Sequence, residues 1–253
     1  MTTNNPPLHN QLLSALSSPE LNRISPYLEL IELKLGEILY ESGEYLGEVY
    51  FPISSVISVI YDLADGSTSG VAVVGNEGFL GLSFILGGDC TIGRAMVQMA
   101  GSAYRLKSEF LLQEYNREGI LFSLLLRYTL AYMTQTTQTG VCSSHHSIEQ
   151  QLCRCLLFSM DRQPLQRLTM THGLIAIMLG VRREGVTEAA GKLQELGLIS
   201  YNRGVINIIN RTKLEQMSCE CYCIMKKEYD RLILAMLNSN LPHLRRDQAM
   251  VNY

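Results

Sequence analysis

Two short segments on either side of residue 180 carry apolar residues at helical spacing, and a glycine separates them. The first segment follows Thr169 and Thr171, and either hydroxyl could cap a helix N-terminus. Gly180 is expected to end this helix. The apolar positions recur one, three and four residues apart, as on one face of a helix: Leu174, Ile175, Met178 and Leu179.

The second segment predicts an amphipathic helix from about Arg182 to Leu196, with Gly197 at the position of a C-terminal cap. Its apolar stripe consists of Val186, Ala189, Ala190 and Leu193, and its polar face carries Arg183, Glu184, Thr187 and Glu188. Two β-type runs follow, at residues 198–201 and 205–209. Helix, turn, helix and hairpin together predict a winged helix-turn-helix. An ordinary pair of amphipathic helices, which enzymes also contain, is the alternative.

The segment from Leu33 to about Gly101 has a different pattern, in which glycines separate short apolar runs. Asp65-Gly66 is a hairpin signal between two of these runs. Many short strands at this spacing favour a sandwich or small barrel. The chain is therefore predicted to be an α+β protein with a β-rich N-terminal half.

A long helix is predicted over residues 119–145, where glycines are few and prolines absent. One apolar stripe steps by four, three and four residues: Leu121, Leu125, Tyr128 and Tyr132. Leu124, Leu126, Leu130 and Met133 are apolar on other faces, so the helix needs two packing partners. We expect its own β-rich half on one side and a second copy, contacting the first stripe, on the other. A buried helix in a monomer is the alternative, and Gly140 could mark a bend.

Three regions follow from these patterns: a β-rich domain at 1–118, a dimerisation helix and hinge at 119–146, and a DNA-binding domain with a C-terminal helix at 147–253. Helices are predicted at 147–162 and 212–237, and a loose tail at 241–253. The hinge is expected near residues 142–147.

Charge is distributed unevenly along the 253 residues, whose formal net charge is −3. Residues 1–146 carry 7 Lys and Arg against 14 Asp and Glu, whereas residues 147–253 carry 14 against 10. A basic C-terminal module can bind phosphates locally while the acidic half faces away. No membrane-length apolar run and no secretory signal are present, and seven cysteines fit reduced thiols, so a cytoplasmic location is expected.

The segment VRREGVTEAAGKLQELGLI resembles the recognition helix of the cyclic-AMP receptor and fumarate-nitrate regulator (CRP/FNR) superfamily of bacterial transcription factors. The order of β-rich segment, long helix and C-terminal module, over roughly residues 12–235, is also similar to that superfamily. The resemblance implies that the region 1–118 is a β-roll sensor-like domain, a jelly roll of the cyclic-nucleotide-binding type. It also implies a homodimer on an inverted-repeat operator, with RNA polymerase as a further partner.

The resemblance assigns base reading to Arg183 and Glu184, and the polar face adds Thr187 and Glu188. Arg suits the O6 and N7 of guanine, and Glu accepts from the N4 amine of cytosine. The superfamily often has arginine where this chain has Glu188, which leaves the half-site sequence open. Candidate phosphate contacts are Thr169, Thr171, His172, Arg182 and Arg203.

The candidate effector site departs from the cyclic-AMP pattern that the resemblance implies. The corresponding positions are Gly81-Leu82, without the ribose-binding glutamate, and Arg94-Ala95, with the arginine displaced by one residue. In a strand, that displacement reverses the face on which the side chain lies. We therefore expect another small effector or none, with cyclic nucleotide as the lesser alternative, and we assign no cofactor.

Cys219, Cys221 and Cys223 raise the question of a metal or redox site. On a helix, Cys219 and Cys223 would share a face and Cys221 would not, so further donors would have to come from Cys153, Cys155, His145 or His146. Structural thiols are the expectation, and no metal ligand is assigned. A redox- or metal-responsive sensor in which DNA binding is secondary is the alternative function. No phosphate-binding loop, nucleophile elbow or metalloprotease helix suggests an enzyme.

Overall fold

The computed structural model describes residues 9–91, 93–162 and 168–239. The predicted tail at 241–253 lies outside the described residues. The N-terminal part begins with helices α1 (Gln11–Ser14) and α2 (Ser18–Ile24) and a 3-10 turn (Ser25–Tyr27). Ser17 and Glu20 form a capping box at the start of α2, which satisfies two backbone N–H groups there.

Seven strands form the predicted β-rich half: β1 (Glu29–Leu33), β2 (Ile38–Tyr40), β3 (Glu48–Pro52), β4 (Val56–Asp62), β5 (Thr68–Val74), β6 (Arg94–Met99) and β7 (Gly101–Lys107). They pair antiparallel in two sheets, ordered β1-β7-β3 and β2-β6-β4-β5. Gly66 adopts a positive φ in the β4–β5 turn, as the Asp65-Gly66 signal predicts. Helices α3 (Leu82–Ile85) and α4 (Ser108–Tyr115) complete this half.

The second half contains α5 (Ile120–His145), α6 (Ile148–Asp161), β8 (Leu168–Thr169), α7 (His172–Leu179), α8 (Arg183–Glu195), β9 (Ile199–Asn202), β10 (Val205–Ile208), α9 (Arg211–Met217) and α10 (Glu220–Ser239). The helix predicted over 212–237 is two helices. Ser218, with ψ 162°, is extended and ends α9 before α10 begins. Helix α5 continues through Gly140, so the bend considered there is not a break in the helix.

Helix α5 packs on its own chain along two sides. On one side the Tyr128 hydroxyl donates to the Phe79 carbonyl (2.9 Å), and Gln135 Nε2 donates to the Val73 carbonyl (3.2 Å). On the other side α10 runs along α5, and the Tyr229 hydroxyl donates to Gln135 Oε1 (2.8 Å). Both sides are apolar, which explains the several apolar faces in the sequence of α5.

This packing corrects the predicted dimer stripe. Leu121, Leu125 and Tyr128 are at most 1% exposed within the single chain, and Tyr132 is partly buried. They therefore form part of the chain's own core. The apolar side chains of α5 that remain exposed form another stripe, the exposed α5 stripe: Leu126 (48%), Leu130 (55%), Met133 (58%) and Val141 (43%).

The helix-turn-helix docks directly on the β-rich half. A Cβ at Gly70, in β5, would lie 2.8 Å from the Met178 Cα of α7, so only glycine permits this approach of helix to strand. A second link is the buried ion pair between Glu77, which follows β5, and Arg162, which follows α6 (Oε1–Nε 3.0 Å). The two halves therefore share one continuous apolar core.

Candidate DNA-binding site

The turn between α7 and α8 has the geometry that the sequence predicts. Thr171, rather than Thr169, caps α7, because its Oγ1 accepts from the Leu174 N–H (3.1 Å) while Thr169 lies in β8. Gly180 adopts the left-handed conformation at φ 64°, and the next N–H, of Val181, donates to the Ala176 carbonyl (3.1 Å). This closes α7 with the glycine-dependent arrangement typical of helix C-termini.

Helix α8 buries its apolar stripe as predicted and leaves a polar face in solvent. The buried positions are Val186, Ala189, Ala190 and Leu193. Arg182 at the N-cap makes no side-chain capping bond, and it is exposed together with the four predicted base readers Arg183, Glu184, Thr187 and Glu188. The first two turns of α8 therefore present two arginines, two glutamates and a hydroxyl on one accessible end of the helix.

Two of these side chains are held by neighbours. Thr187 Oγ1 donates to the Arg183 carbonyl (3.0 Å), so the hydroxyl proton of Thr187 is already used within α8. Glu188 pairs with Lys192 (2.9 Å), and Lys192 also pairs with Glu149 of α6 (2.8 Å). Hydrogen bonds to both carboxylates raise the pKa of Lys192. The charge of Glu188 is thus partly balanced within the protein.

His172, predicted to contact phosphate, is positioned by the protein. Its Nδ1 lies 2.9 Å from Thr187 Oγ1, its Nε2 is buried, and its ring stacks on Tyr201 with centroids 4.2 Å apart. Burial and the nearby charge of Arg183 lower the pKa of His172, which favours the neutral ring. The arrangement suits orientation of α8 better than a cationic phosphate contact.

The predicted wing is a short antiparallel sheet in the order β8-β10-β9. Val205 pairs with Asn202, so Arg203 and Gly204 form a two-residue turn, and both have positive φ (49° and 81°). Positive φ values at both central residues are what a type I′ two-residue hairpin turn requires. Arg203 is exposed at the tip, and Thr169 is exposed on β8 beside it, so both remain accessible to a DNA backbone.

The β-rich half contains a cavity of about 670 Å³ at the predicted effector position. Gly81, Leu82 and Ala95 line it, whereas Arg94 instead pairs with Asp62 (2.9 Å). This agrees with the strand argument that the arginine lies on the opposite face. Among the described residues, no charged side chain lines the cavity, and α5 contributes Tyr132, Met133 and Thr136 to its wall.

The cysteines are arranged differently from the sequence expectation. Cys219 precedes α10, so the helical spacing that would place it beside Cys223 does not apply, and Cys223 is exposed. Cys219 and Cys221 instead meet Cys142 and His146 from the end of α5. Sequence reasoning considered His146 but missed Cys142, because only the packing of α10 on α5 brings this residue near.

Comparisons with known proteins agree with this geometry. A Crp-like helix-turn-helix domain matches residues 150–217, from α6 to the end of α9. A comparison with curated protein sequences finds no match.

Solved structures share the fold of most of the chain. FixK2 from Bradyrhizobium japonicum is 18% identical with a TM-score of 0.64, over 76% of this chain and 98% of that one. The c-di-GMP responsive global regulator CLP from Xanthomonas campestris is 16% identical with a TM-score of 0.60, over 76% and 99%. A CRP family transcriptional regulator from Thermus thermophilus is 18% identical with a TM-score of 0.61, over 74% and 96%.

Residues 150–217 are thus similar to the Crp-like helix-turn-helix domain, and the fold is shared with solved structures of CRP/FNR-type proteins. The predicted fold class is confirmed. Within residues 9–91, 93–162 and 168–239, no helix has both the length and the apolar composition needed to span a bilayer.

Proposed function

We propose that this chain regulates transcription by binding an inverted-repeat operator as a homodimer, with Arg183 and Glu184 reading bases. The observation that carries the proposal is the exposed polar end of α8, in a helix whose other side is buried in a Crp-like domain. A recognition helix places such residues against base edges in the major groove. Three exposed residues of the same domain are the remaining candidate phosphate contacts: Thr169 on β8, Arg182 at the N-cap of α8 and Arg203 at the wing tip.

The test is operator binding by Arg183→Ala and Glu184→Ala, after an operator has been selected from random DNA. Each bidentate contact contributes about 1–3 kcal/mol of discrimination, so we expect roughly 5- to 150-fold weaker binding. Specificity should relax at one base position for each variant. Glu195→Ala, at the exposed end of the same helix, is the matched control. Unchanged affinity and unchanged base preference in both variants would contradict the assignment.

The proposed homodimer forms through the exposed α5 stripe. Its first three members lie about one helical turn apart and Val141 follows about two turns after Met133, so all four share one face of α5. An exposed apolar row of this kind is typical of helix pairing. Sedimentation of Leu130→Glu should show loss of the dimer, because the substitution places a charge in the middle of the stripe. Arg127→Glu, which adds a negative charge at an exposed position beside the stripe, is the control. A dimer that persists in Leu130→Glu would exclude this surface.

The proposed effector is small, neutral and largely apolar. This follows from the 670 Å³ cavity, because a phosphate there would lack a charged partner among the lining residues. Binding would act on α5 directly through Tyr132 and Met133, and Met133 also belongs to the exposed α5 stripe. Thermal shift with a panel of cyclic nucleotides and uncharged apolar compounds tests this. Stabilisation by a cyclic nucleotide alone would refute it.

A further inference from the structure

Four potential metal ligands converge where α10 begins beside the end of α5. Cys142 and His146 lie one turn apart at the C-terminal end of α5, and Cys219 and Cys221 flank the first residue of α10. Their ligand atoms all lie within 4.8 Å of one another: Cys142, His146, Cys219 and Cys221, the thiol–imidazole cluster. The three cysteines are at most 3% exposed, so solvent is largely excluded from the sulfur atoms.

The distances within the cluster fit ligands around one ion. The sulfurs of Cys142 and Cys219 are 3.4 Å apart, far beyond the roughly 2.0 Å of a disulfide bond. Bonds of about 2.3 Å at tetrahedral angles would place two sulfurs about 3.8 Å apart. The separation of 3.7 Å between Cys221 Sγ and His146 Nδ1 is also of this size. A multi-iron cluster would need more space between its ligands.

We propose that the thiol–imidazole cluster binds a single divalent zinc-type ion. Three thiolates and one imidazole nitrogen complete a closed tetrahedral set, which is the composition of a structural zinc site. The site stands independently of the proposed operator binding, because none of its ligands lies on α8 or in the wing.

The surroundings of the cluster support this assignment. His146 Nε2 lies 3.2 Å from Glu220 Oε2, so this nitrogen can carry the proton and leave Nδ1 free to coordinate. Metal-bound histidines commonly have such an outer carboxylate partner. Three thiolates and a divalent cation leave one net negative charge. The buried guanidinium of Arg154 acts electrostatically on Cys142 and balances that charge.

The neighbouring thiols of α6 lie outside the cluster. Burial is the main cause that raises the pKa of Cys153 to about 12 and that of Cys155 to about 11, as expected for structural thiols.

The bound ion would join two elements that are 77 residues apart at Cys142 and Cys219. It would hold the start of α10 against the end of α5, next to the α5–α6 junction at His146 and Ser147. This junction carries the DNA-binding domain, so the site would maintain the docked arrangement of the two halves.

The test uses the full chain, purified under reducing conditions, with Co²⁺ alone as the probe. We expect about one equivalent of Co²⁺ to bind and to give thiolate charge-transfer absorption together with the intense visible bands of tetrahedral cobalt. Cys221→Ser should lose at least about a third of the charge-transfer intensity, because it removes one of the three thiolates. Cys223→Ser, an exposed cysteine of the same helix outside the cluster, should keep all of it.

A variant at an exposed position keeps the test independent of folding. Glu220→Gln should weaken Co²⁺ binding by about tenfold through the His146 contact and leave the circular dichroism spectrum unchanged. No cobalt thiolate bands in the wild-type chain would overturn the proposal. So would equal losses in Cys221→Ser and Cys223→Ser, or a Cys142–Cys219 disulfide formed under the reducing conditions of the assay.

Discussion

The ion pair between Glu77 and Arg162 offers the sharpest test of how the two halves are held together. The two side chains are 5% and 3% exposed, and the guanidinium also lies over the rings of Phe158 (3.1 Å to the centroid) and Tyr229 (4.0 Å). Arg162→Met keeps an unbranched apolar side chain over these rings but leaves the Glu77 carboxylate buried without its cation. Breaking a buried pair in this way costs about 3–5 kcal/mol. A whole domain is stable by only roughly 5–15 kcal/mol, so the loss should be large.

The pH dependence of this loss has a definite sign. Burial raises the pKa of Glu77 above its usual value, although the charge of Arg162 opposes the shift. Without Arg162, the pKa of Glu77 in the folded state should rise further, while its pKa in the unfolded state stays at about 4.3. The folded state then binds more protons than the unfolded state between these two values. The free energy of unfolding of Arg162→Met therefore falls as pH rises through this window. Its loss of stability relative to the wild-type chain should be smaller at pH 5 than at pH 8.

Urea unfolding followed by far-ultraviolet circular dichroism at pH 5 and pH 8 measures both effects. Arg127→Met, the same substitution at an exposed position of α5, is the control and should change stability by no more than about 0.5 kcal/mol. Adding Glu77→Gln to Arg162→Met should recover a large part of the loss, because it removes the buried charge. The reasoning is refuted if Arg162→Met behaves like the control at both pH values.

Three further substitutions test other contacts. Gly70→Ala should destabilise the chain by about 1–3 kcal/mol and increase protease cleavage between the halves, because the new Cβ would lie 2.8 Å from the α7 backbone. Gly191→Ala should cause neither effect, because among the described residues beyond its own helix backbone no atom lies within 4 Å of the added Cβ. Tyr229→Phe should cost about 0.5–1.5 kcal/mol in chemical unfolding, because it removes the buried hydrogen bond to Gln135 (2.8 Å). Glu188→Gln should strengthen binding to nonspecific DNA at low salt, because it removes a carboxylate and leaves Lys192 with Glu149 as its remaining partner in these two ion pairs. Equal affinity in a fluorescence anisotropy titration would show that this face does not meet phosphates.

Much of the DNA-binding domain could be predicted because its signals are local. The cap at Thr171, the left-handed Gly180 and the wing turn at Arg203 and Gly204 each depend on backbone preferences within a few residues. The buried stripe of α8 follows from helical periodicity, which is also local. The choice between Thr169 and Thr171 needed the structure, because pairing with β10 assigns Thr169 to a strand.

The β-rich half was predictable as a class but not as an arrangement. Glycine spacing indicates many short strands, yet the order β2-β6-β4-β5 depends on which distant strands pair. The reversed position of Arg94 relative to the cavity could be argued from strand alternation. The size and uncharged lining of that cavity could not, because side chains from α5 complete its wall.

The sequence by itself determined the segments that fold locally: the helix-turn-helix, its wing and the existence of a long helix α5. Tertiary structure decided which apolar face of α5 is free. The β-rich half and α10 cover two apolar faces of this helix, and the sequence does not distinguish these two from the exposed α5 stripe. Tertiary structure also decided that Cys142 meets Cys219, a contact between residues far apart in the chain. Periodicity reports which side chains share a face of one element, whereas the partner of that face is selected by the packing of the whole chain.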